Sequence, residues 1–245
     1  MIDARETGAD ERRPSTEGQL EITADEYAAR RGRVFEAIGA DALAIVQGAG
    51  APRGFYPFRQ SNEFSYLCGI AAPHAYLLLN GRTRQTTLYL PHRDARRAEN
   101  DGEGFSAQDE DAVKHLSGVE MVAGPERLAA DLAALLWRGP APALFTPLAP
   151  AEGTAATRDA LFAGAAQAAS DPWDGAEARE ARFARSLTAR FPRLTVRDLS
   201  PILDQLRLIK SAAEVALLRR AARLCGRGIM EAMRATTPGA RTSDR

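Results

Sequence analysis

Side chains able to do acid–base or metal chemistry are scattered in this sequence, without the spacing that such chemistry needs. The three histidines, His74, His92 and His115, stand in no His-Glu-x-x-His or other ligand-spaced pattern. The acidic run 109–111 is better explained as a solvated helix start, because neighbouring helical residues point in different directions. Nucleophile-elbow and phosphate-loop motifs do not occur. Spacing alone therefore predicts no catalytic residue and no metal ligand.

The glycine-rich stretch 48–54 follows an apolar run and superficially resembles a dinucleotide-binding loop. Pro52, Phe55 and Pro57 occupy the positions where the phosphate-binding helix would begin, and proline is poorly tolerated inside a helix. A plain loop is the better interpretation.

The most unusual chemistry lies in residues 55–69, which we call the aromatic segment. It holds five of the fourteen Phe and Tyr residues, together with Arg59, Gln60 and Asn62. Clustered rings indicate either a core plug or a docking surface. Polar side chains among them need hydrogen-bond partners if they are buried.

Composition excludes several functional classes. The chain has 245 residues, with 32 basic and 32 acidic side chains, so it has no net field to attract nucleic acid or an anionic membrane. Cys68 and Cys225 are too far apart in sequence for a Cys-x-x-Cys site, which favours two reduced thiols and a cytoplasmic location. Residues 1–19 are polar and contain no signal-peptide core, and we expect them to be a disordered tail.

Apolar periodicity predicts an α/β fold in residues 20–200, with a mixed β-sheet flanked by helices. A capping box at 23–26 starts a helix that ends at Gly39, and Ser61 or Asn62 starts a short helix that ends at Gly69. Asn80-Gly81 favours an antiparallel hairpin. The predicted helices are 24–38, a short helix after 61 or 62 through 66, 109–116, 125–137, 156–169, 177–190 and 202–208, and the predicted strands are 42–46, 75–79, 86–90, 119–122, 143–146 and 194–196. The Ala-rich stretch 147–174 is expected to be a mobile insertion.

The C-terminal helix poses a packing problem. A second capping box, at 211–214, opens a helix with an apolar stripe at alternating spacings of three and four residues. The stripe consists of Val215, Leu218, Ala222, Cys225, Ile229 and Met233. If the stripe stayed exposed to water, the fold would lose on the order of 10 kcal/mol of free energy that burial of these side chains would contribute. Either the helix packs back on the first domain, or residues 201–245 are a linker and the first helix of a second domain.

Two segments resemble the Xaa-Pro aminopeptidase (aminopeptidase P) family. Residues 56–70, YPFRQSNEFSYLCGI, resemble the signature of the family's N-terminal domain, with Cys68 and Ile70 as conservative departures. Residues 206–215, LRLIKSAAEV, are similar to the linker and first helix of its catalytic domain. The resemblance spans about residues 27–239, although many relatives carry a tryptophan where this chain has 99–102.

The resemblance implies a creatinase-like N-terminal domain ahead of a pita-bread metallopeptidase domain. It also implies release of an N-terminal residue ahead of proline, with two manganese ions lowering the pKa of a bridging water. The family's ligands lie in the pita-bread domain, which would begin near Leu206 and continue beyond Arg245. No residue of this chain therefore inherits a catalytic or metal-binding role, no cofactor is expected in it, and we expect it to be inactive alone.

The family signature is expected to be structural or to form an interface. Its residues are Tyr56, Arg59, Gln60, Asn62, Phe64, Tyr66 and Gly69. We expect Arg59, Gln60 and Asn62 to bind backbone groups beneath the rings. Two interpretations of the chain stay open: a truncated peptidase whose partner is its missing catalytic domain, or a stand-alone interaction module. The expected partner is a second copy of the chain or the missing catalytic domain, whereas proline-containing peptides would bind only a full-length enzyme. The polar ending favours truncation.

Overall fold

A computed structural model describes residues 22–51, 57–94, 104–137, 143–152, 156–173 and 175–236. Its strands are β1 Ala42–Gln47, β2 Tyr76–Asn80, β3 Gln85–Tyr89, β4 Met121–Ala123, β5 Ala143–Thr146 and β6 Thr195–Asp198. They form one sheet in the order β4-β3-β2-β1-β5-β6. β2 runs antiparallel to β1 and β3, whereas the other three neighbouring pairs are parallel. The predicted α/β fold with a mixed sheet is confirmed.

The helices lie close to the predicted positions. They are α1 Ala24–Ile38, α2 Asn62–Cys68, α3 Glu110–Ser117, α4 Leu128–Trp137, α5 Arg158–Ser170, α6 Arg179–Arg190, α7 Ser200–Leu208 and α8 Ala212–Ala235. The stretch Pro125–Arg127, predicted as helix, is a 3-10 turn ahead of α4. The predicted strand at 119–122 forms two residues later, at Met121–Ala123. Proline fixes a turn geometry at Pro125 before the α-helical ladder can start.

The sheet separates two apolar layers because successive side chains of a strand point to opposite faces. On the front face, Ala44, Leu77 and Leu88 pack with buried side chains of α1, α2, α3 and α7. On the back face, Ile45 and Leu78 pack with those of α4 and α6. Helices cover both faces of the sheet, and this explains why the sequences of β1 and β2 are almost continuously apolar.

Helix α1 carries two buried arginines on its inner side. Arg30 and Arg31 are each 2% exposed. The Arg31 guanidinium donates to Leu67 O at 2.9 Å, Ser117 O at 2.8 Å and Gly118 O. These carbonyls lie at the C-terminal ends of α2 and α3, where helices leave acceptors without internal partners. One side chain therefore satisfies the ends of two helices, and its burial lowers the pKa of Arg31.

Some predictions lie beyond what the structure tests. The proposed tail, residues 1–19, is outside the described residues. Helix α5 exists within the predicted insertion and contains no buried residue, but its mobility stays a prediction. The boundary near residue 200 also stays a prediction. Within the described ranges, no helix is long and apolar enough to cross a lipid bilayer.

Gly69→Ala should lower the free energy of unfolding by about 2 to 5 kcal/mol. Gly69 ends α2 at φ 69°, a left-handed conformation that costs a residue with a side chain about 1 to 2 kcal/mol. A Cβ atom there would also overlap the Tyr27 ring, with Cε2 at 2.8 Å, and overpacking adds about 1 to 3 kcal/mol. Urea denaturation measures the loss. In Gly164→Ala the new methyl meets open space within α5, so that control should lose no stability.

Arg31→Lys should destabilise the fold by about 2 to 4 kcal/mol, because a single ammonium cannot reproduce the planar fork that reaches three carbonyls. The exposed Arg82, at 58%, provides the matched control Arg82→Lys. Equal unfolding midpoints for the two variants would contradict the helix-end role of Arg31.

Candidate functional site

The aromatic segment connects the loop after β1 to α2. The side chain of Gln60 fixes the position at which the chain enters α2. The Gln60 side chain is buried and accepts hydrogen bonds from Ala49 N at 2.6 Å and Ser61 N at 3.0 Å. Its amide nitrogen donates to Ala72 O at 2.9 Å. One amide therefore joins the loop after β1, the start of α2 and the chain ahead of β2. Gln60 thus binds backbone groups, while the structural or interface role of the whole signature stays a prediction.

Helix α2 contributes the rings of the segment to the front core. Phe64 is fully buried, and Tyr66 is 7% exposed. Burial raises the pKa of Tyr66, and its hydroxyl donates to Leu206 O at 3.1 Å. Burial also raises the pKa of the Cys68 thiol to about 12, so this cysteine is an unreactive core residue. Of the two interpretations of the segment, the core plug fits α2.

Other signature residues have different surroundings. Tyr56 lies outside the described residues. Arg59 has an exposed side chain, so it does not lie beneath the rings as expected. Its exposure also does not support a role in stabilising the fold. Asn62 is half-buried, and its backbone N–H, rather than its side chain, donates to Glu152 O at 2.6 Å.

A buried carboxylate organises a charged cluster at the N-terminal end of α2. We define the Glu63 cluster as Glu63, Glu152, Arg158, Asp204 and Arg207. Glu63 Oε1 lies 2.7 Å from Arg158 Nη2 and 3.4 Å from Arg207 Nη1. Both arginines also contact Glu152, at 3.3 and 3.1 Å, and Arg158 reaches Asp204 at 3.1 Å. The cluster ties α2 to α5, α7 and the chain after β5.

Burial and charge act against each other in this cluster. The Glu63 side chain is only 5% exposed, and this desolvation raises its pKa despite the two arginines. Glu152 is more open, and there the hydrogen bonds and charges of Arg207 and Arg158 outweigh burial and lower its pKa. Sequence reasoning missed the cluster because Glu63 is 95 and 144 residues away from its arginine partners. No local motif encodes such contacts.

The first turn of α8 docks on α1 through a second set of polar contacts, which we call the α8 junction. It consists of Glu26, Arg30, Ser211 and Glu214. The predicted capping box is present, and Ser211 Oγ also donates to Glu26 Oε1 at 2.6 Å. Arg30 binds Glu26 at 2.5 Å and lies 3.4 Å from Glu214. Burial opposes the ionisation of Glu26, but Ser211 and Arg30 outweigh it and lower its pKa.

Beyond this junction α8 runs away from the domain with its apolar stripe uncovered. Leu218 is 59% exposed, Ile229 62% and Met233 71%. Cys225 is also exposed, whereas Val215, near the junction, is half-buried. The alternative that the stripe packs back on the first domain is wrong. The helix also exposes two large side chains that the stripe did not include, Leu224 and Met230.

The described residues do not provide a metal centre. Within these ranges, no group of three or more His, Cys, Asp or Glu side chains is placed to hold a metal ion. His92 instead lies 3.2 Å from Glu126 at an exposed position. The manganese pair implied by the resemblance does not fit these residues, and we derive no step through it.

Comparison with known proteins identifies the domain. Residues 27–145 match the sequence profile described as "Aminopeptidase P, N-terminal domain". No curated protein sequence matches the chain significantly.

Solved structures share the fold. Proline aminopeptidase P II from Yersinia pestis is 24% identical, with a TM-score of 0.59, over 89% of this chain and 47% of that one. Aminopeptidase P from E. coli with the inhibitor Pro-Leu is 22% identical, with a TM-score of 0.60, over 89% and 46%. Icp55 from Saccharomyces cerevisiae is 20% identical, with a TM-score of 0.56, over 84% and 42%. The chain thus spans less than half the length of these relatives. The profile match thus shows an aminopeptidase P N-terminal domain at residues 27–145, and the solved structures show that the chain shares the fold of aminopeptidase P proteins.

Proposed function

We propose that this chain is the N-terminal part of an Xaa-Pro aminopeptidase and that its role is to hold and orient a catalytic domain through α8. The observation that carries the proposal is the contrast along α8. Its first turn is fixed to α1 by the α8 junction, whereas the stripe further along is open to solvent. A helix fixed at one end and apolar along its exposed length is suited to receive another packed layer.

The chemistry of a full-length enzyme would lie in that second layer. The proposed substrate is a peptide with proline in second position, and the proposed metals are two manganese ions held outside the described residues. The part of the chain described here would act by positioning: α1, α2 and α7 fix the start of α8, and α8 fixes what packs on it. A further role in subunit contacts and in access to the catalytic site belongs to the same proposal. The free thiols Cys68 and Cys225 are consistent with a cytoplasmic location.

A stand-alone interaction module is the second candidate, and the same exposed stripe supports it. The two candidates differ in what covers the stripe. Size-exclusion chromatography with light scattering separates them: a tight oligomer of defined size favours the module, whereas a monomer or heterogeneous aggregation favours the positioning role.

We expect the purified 245-residue chain to show no turnover of an Xaa-Pro peptide with added manganese, since the described residues contain no cluster of three or more His, Cys, Asp or Glu side chains placed to hold a metal ion. Release of the N-terminal amino acid can be followed by mass spectrometry. A full-length aminopeptidase P assayed in parallel verifies the substrate and the metal. Measurable hydrolysis by the chain would contradict the proposal.

The double variant Ile229→Gln and Met233→Gln should leave the unfolding free energy of the domain within about 0.5 kcal/mol of the wild type, because both side chains are largely exposed. It should also lower any self-association seen by light scattering, since it removes apolar surface from α8. Leu203→Gln is the control for a covered position: Leu203 is fully buried in α7, and this change should destabilise the fold strongly. A large stability loss in the double variant would mean that the stripe is covered by the domain itself.

A further inference from the structure

A small cavity with a mixed polar and apolar lining lies at the carboxyl ends of the parallel strands β1 and β5. Its lining includes Val46 and Thr146 from the strand ends, Ser61 and Glu63 from the start of α2, and Glu180 from α6. The cavity measures about 20 Å³. This volume exceeds the roughly 10 to 15 Å³ that one water molecule needs and is too small for an organic ligand.

Two residues that line this cavity each have a buried oxygen with unused hydrogen-bonding capacity. Ser61 is 2% exposed and Glu63 is 4% exposed. Ser61 precedes α2, but its side chain makes no capping hydrogen bond. Among the described residues, neither Ser61 Oγ nor Glu63 Oε2 has a hydrogen-bond partner. Buried polar atoms are nearly always bonded, to protein or to ordered water.

The hydrogen-bonding chemistry of the two oxygens indicates whether the cavity binds a water molecule or a cation. An ionised carboxylate oxygen only accepts hydrogen bonds, whereas a serine hydroxyl can donate or accept, so a water can bond to both. A cation is disfavoured because Arg158 and Arg207 already bring positive charge to Oε1 of the same carboxylate. The Ser61 hydroxyl could donate directly to the ionised carboxylate, but the two oxygens form no hydrogen bond with each other.

We propose that this cavity binds one structural water, which donates to Glu63 Oε2 and bonds to Ser61 Oγ. The two carboxylate oxygens of Glu63 then have different partners. Oε1 holds Arg158 and Arg207, while the water on Oε2 solvates the charge that this pairing requires. The water is thus a component of the Glu63 cluster, which joins α2 to α5 and α7.

A high-resolution crystal structure of the 245-residue chain tests the site directly. The expected result is a water at hydrogen-bond distance, about 2.7 to 3.2 Å, from both Ser61 Oγ and Glu63 Oε2. A direct bond between Ser61 and Glu63, or density for a cation that is confirmed by anomalous scattering after a rubidium soak, would overturn the proposal.

Solution measurements extend the test. In Ser61→Val the hydroxyl is lost and methyl groups fill the cavity, so oxygen-17 relaxation dispersion should count one fewer long-lived water than in the wild type. Carbon-13 NMR should show a higher pKa of Glu63 in this variant, because its charge has lost a donor. Ser65→Val, at an exposed position of the same helix, should change neither quantity. Equal water counts in the wild type and Ser61→Val would refute the assignment. If Ser61→Val does not fold, the wild-type crystal structure decides alone.

Discussion

The burial of two adjacent guanidinium groups on α1 is the constraint on which much of this domain depends. A buried arginine is tolerated only where acceptors surround it. Arg31 finds three carbonyls at the ends of α2 and α3, and Arg30 finds Tyr66 O together with the carboxylates of Glu26 and Glu214. The Arg30 guanidinium also lies 4.4 Å from the centre of the Tyr66 ring. Because these donors have fixed geometry, α2, α3 and the start of α8 must occupy definite positions relative to α1.

The same geometry explains why α8 can begin firmly and continue without cover. Its 24 residues correspond to a length of about 36 Å, far more than its first turn needs for the α8 junction. Isolated helices are marginal in water, and their stability in proteins comes mainly from packing of an apolar face. A fixed first turn removes the cost of nucleation, but the stripe from Leu218 to Met233 still lacks the burial that such a face provides. Because its first turn is fixed and its stripe is exposed, α8 is the part of the domain that packing against a partner would stabilise most.

Local patterns predicted the elements well, because each rests on interactions within a few residues. The capping box at Ser211, the left-handed Gly69 and the hairpin at Asn80 all appear as expected. Of the box predicted at Thr23, the N-cap contact is present: the Thr23 side chain accepts from Glu26 N. The polar network was not predictable. Arg30 and Arg31 look like ordinary surface residues of an amphipathic helix until α2 and α3 are placed against them. The exposed Arg59 shows the converse error: an arginine among aromatic residues suggested burial, but only its neighbour Gln60 faces inward.

Helix α2 connects the two halves of this organisation. Glu63 stands in its first turn, and the guanidinium groups of Arg30 and Arg31 lie at its C-terminal end, so the charges at both ends complement the helix dipole. Both ends also reach the segment before α8: Glu63 binds Arg207, and Tyr66 binds the carbonyl of Leu206. The two sequence segments that resemble the family are therefore in direct contact. Because α8 follows this contact immediately, the residues that fix α2 in the core also fix the direction in which α8 leaves the domain.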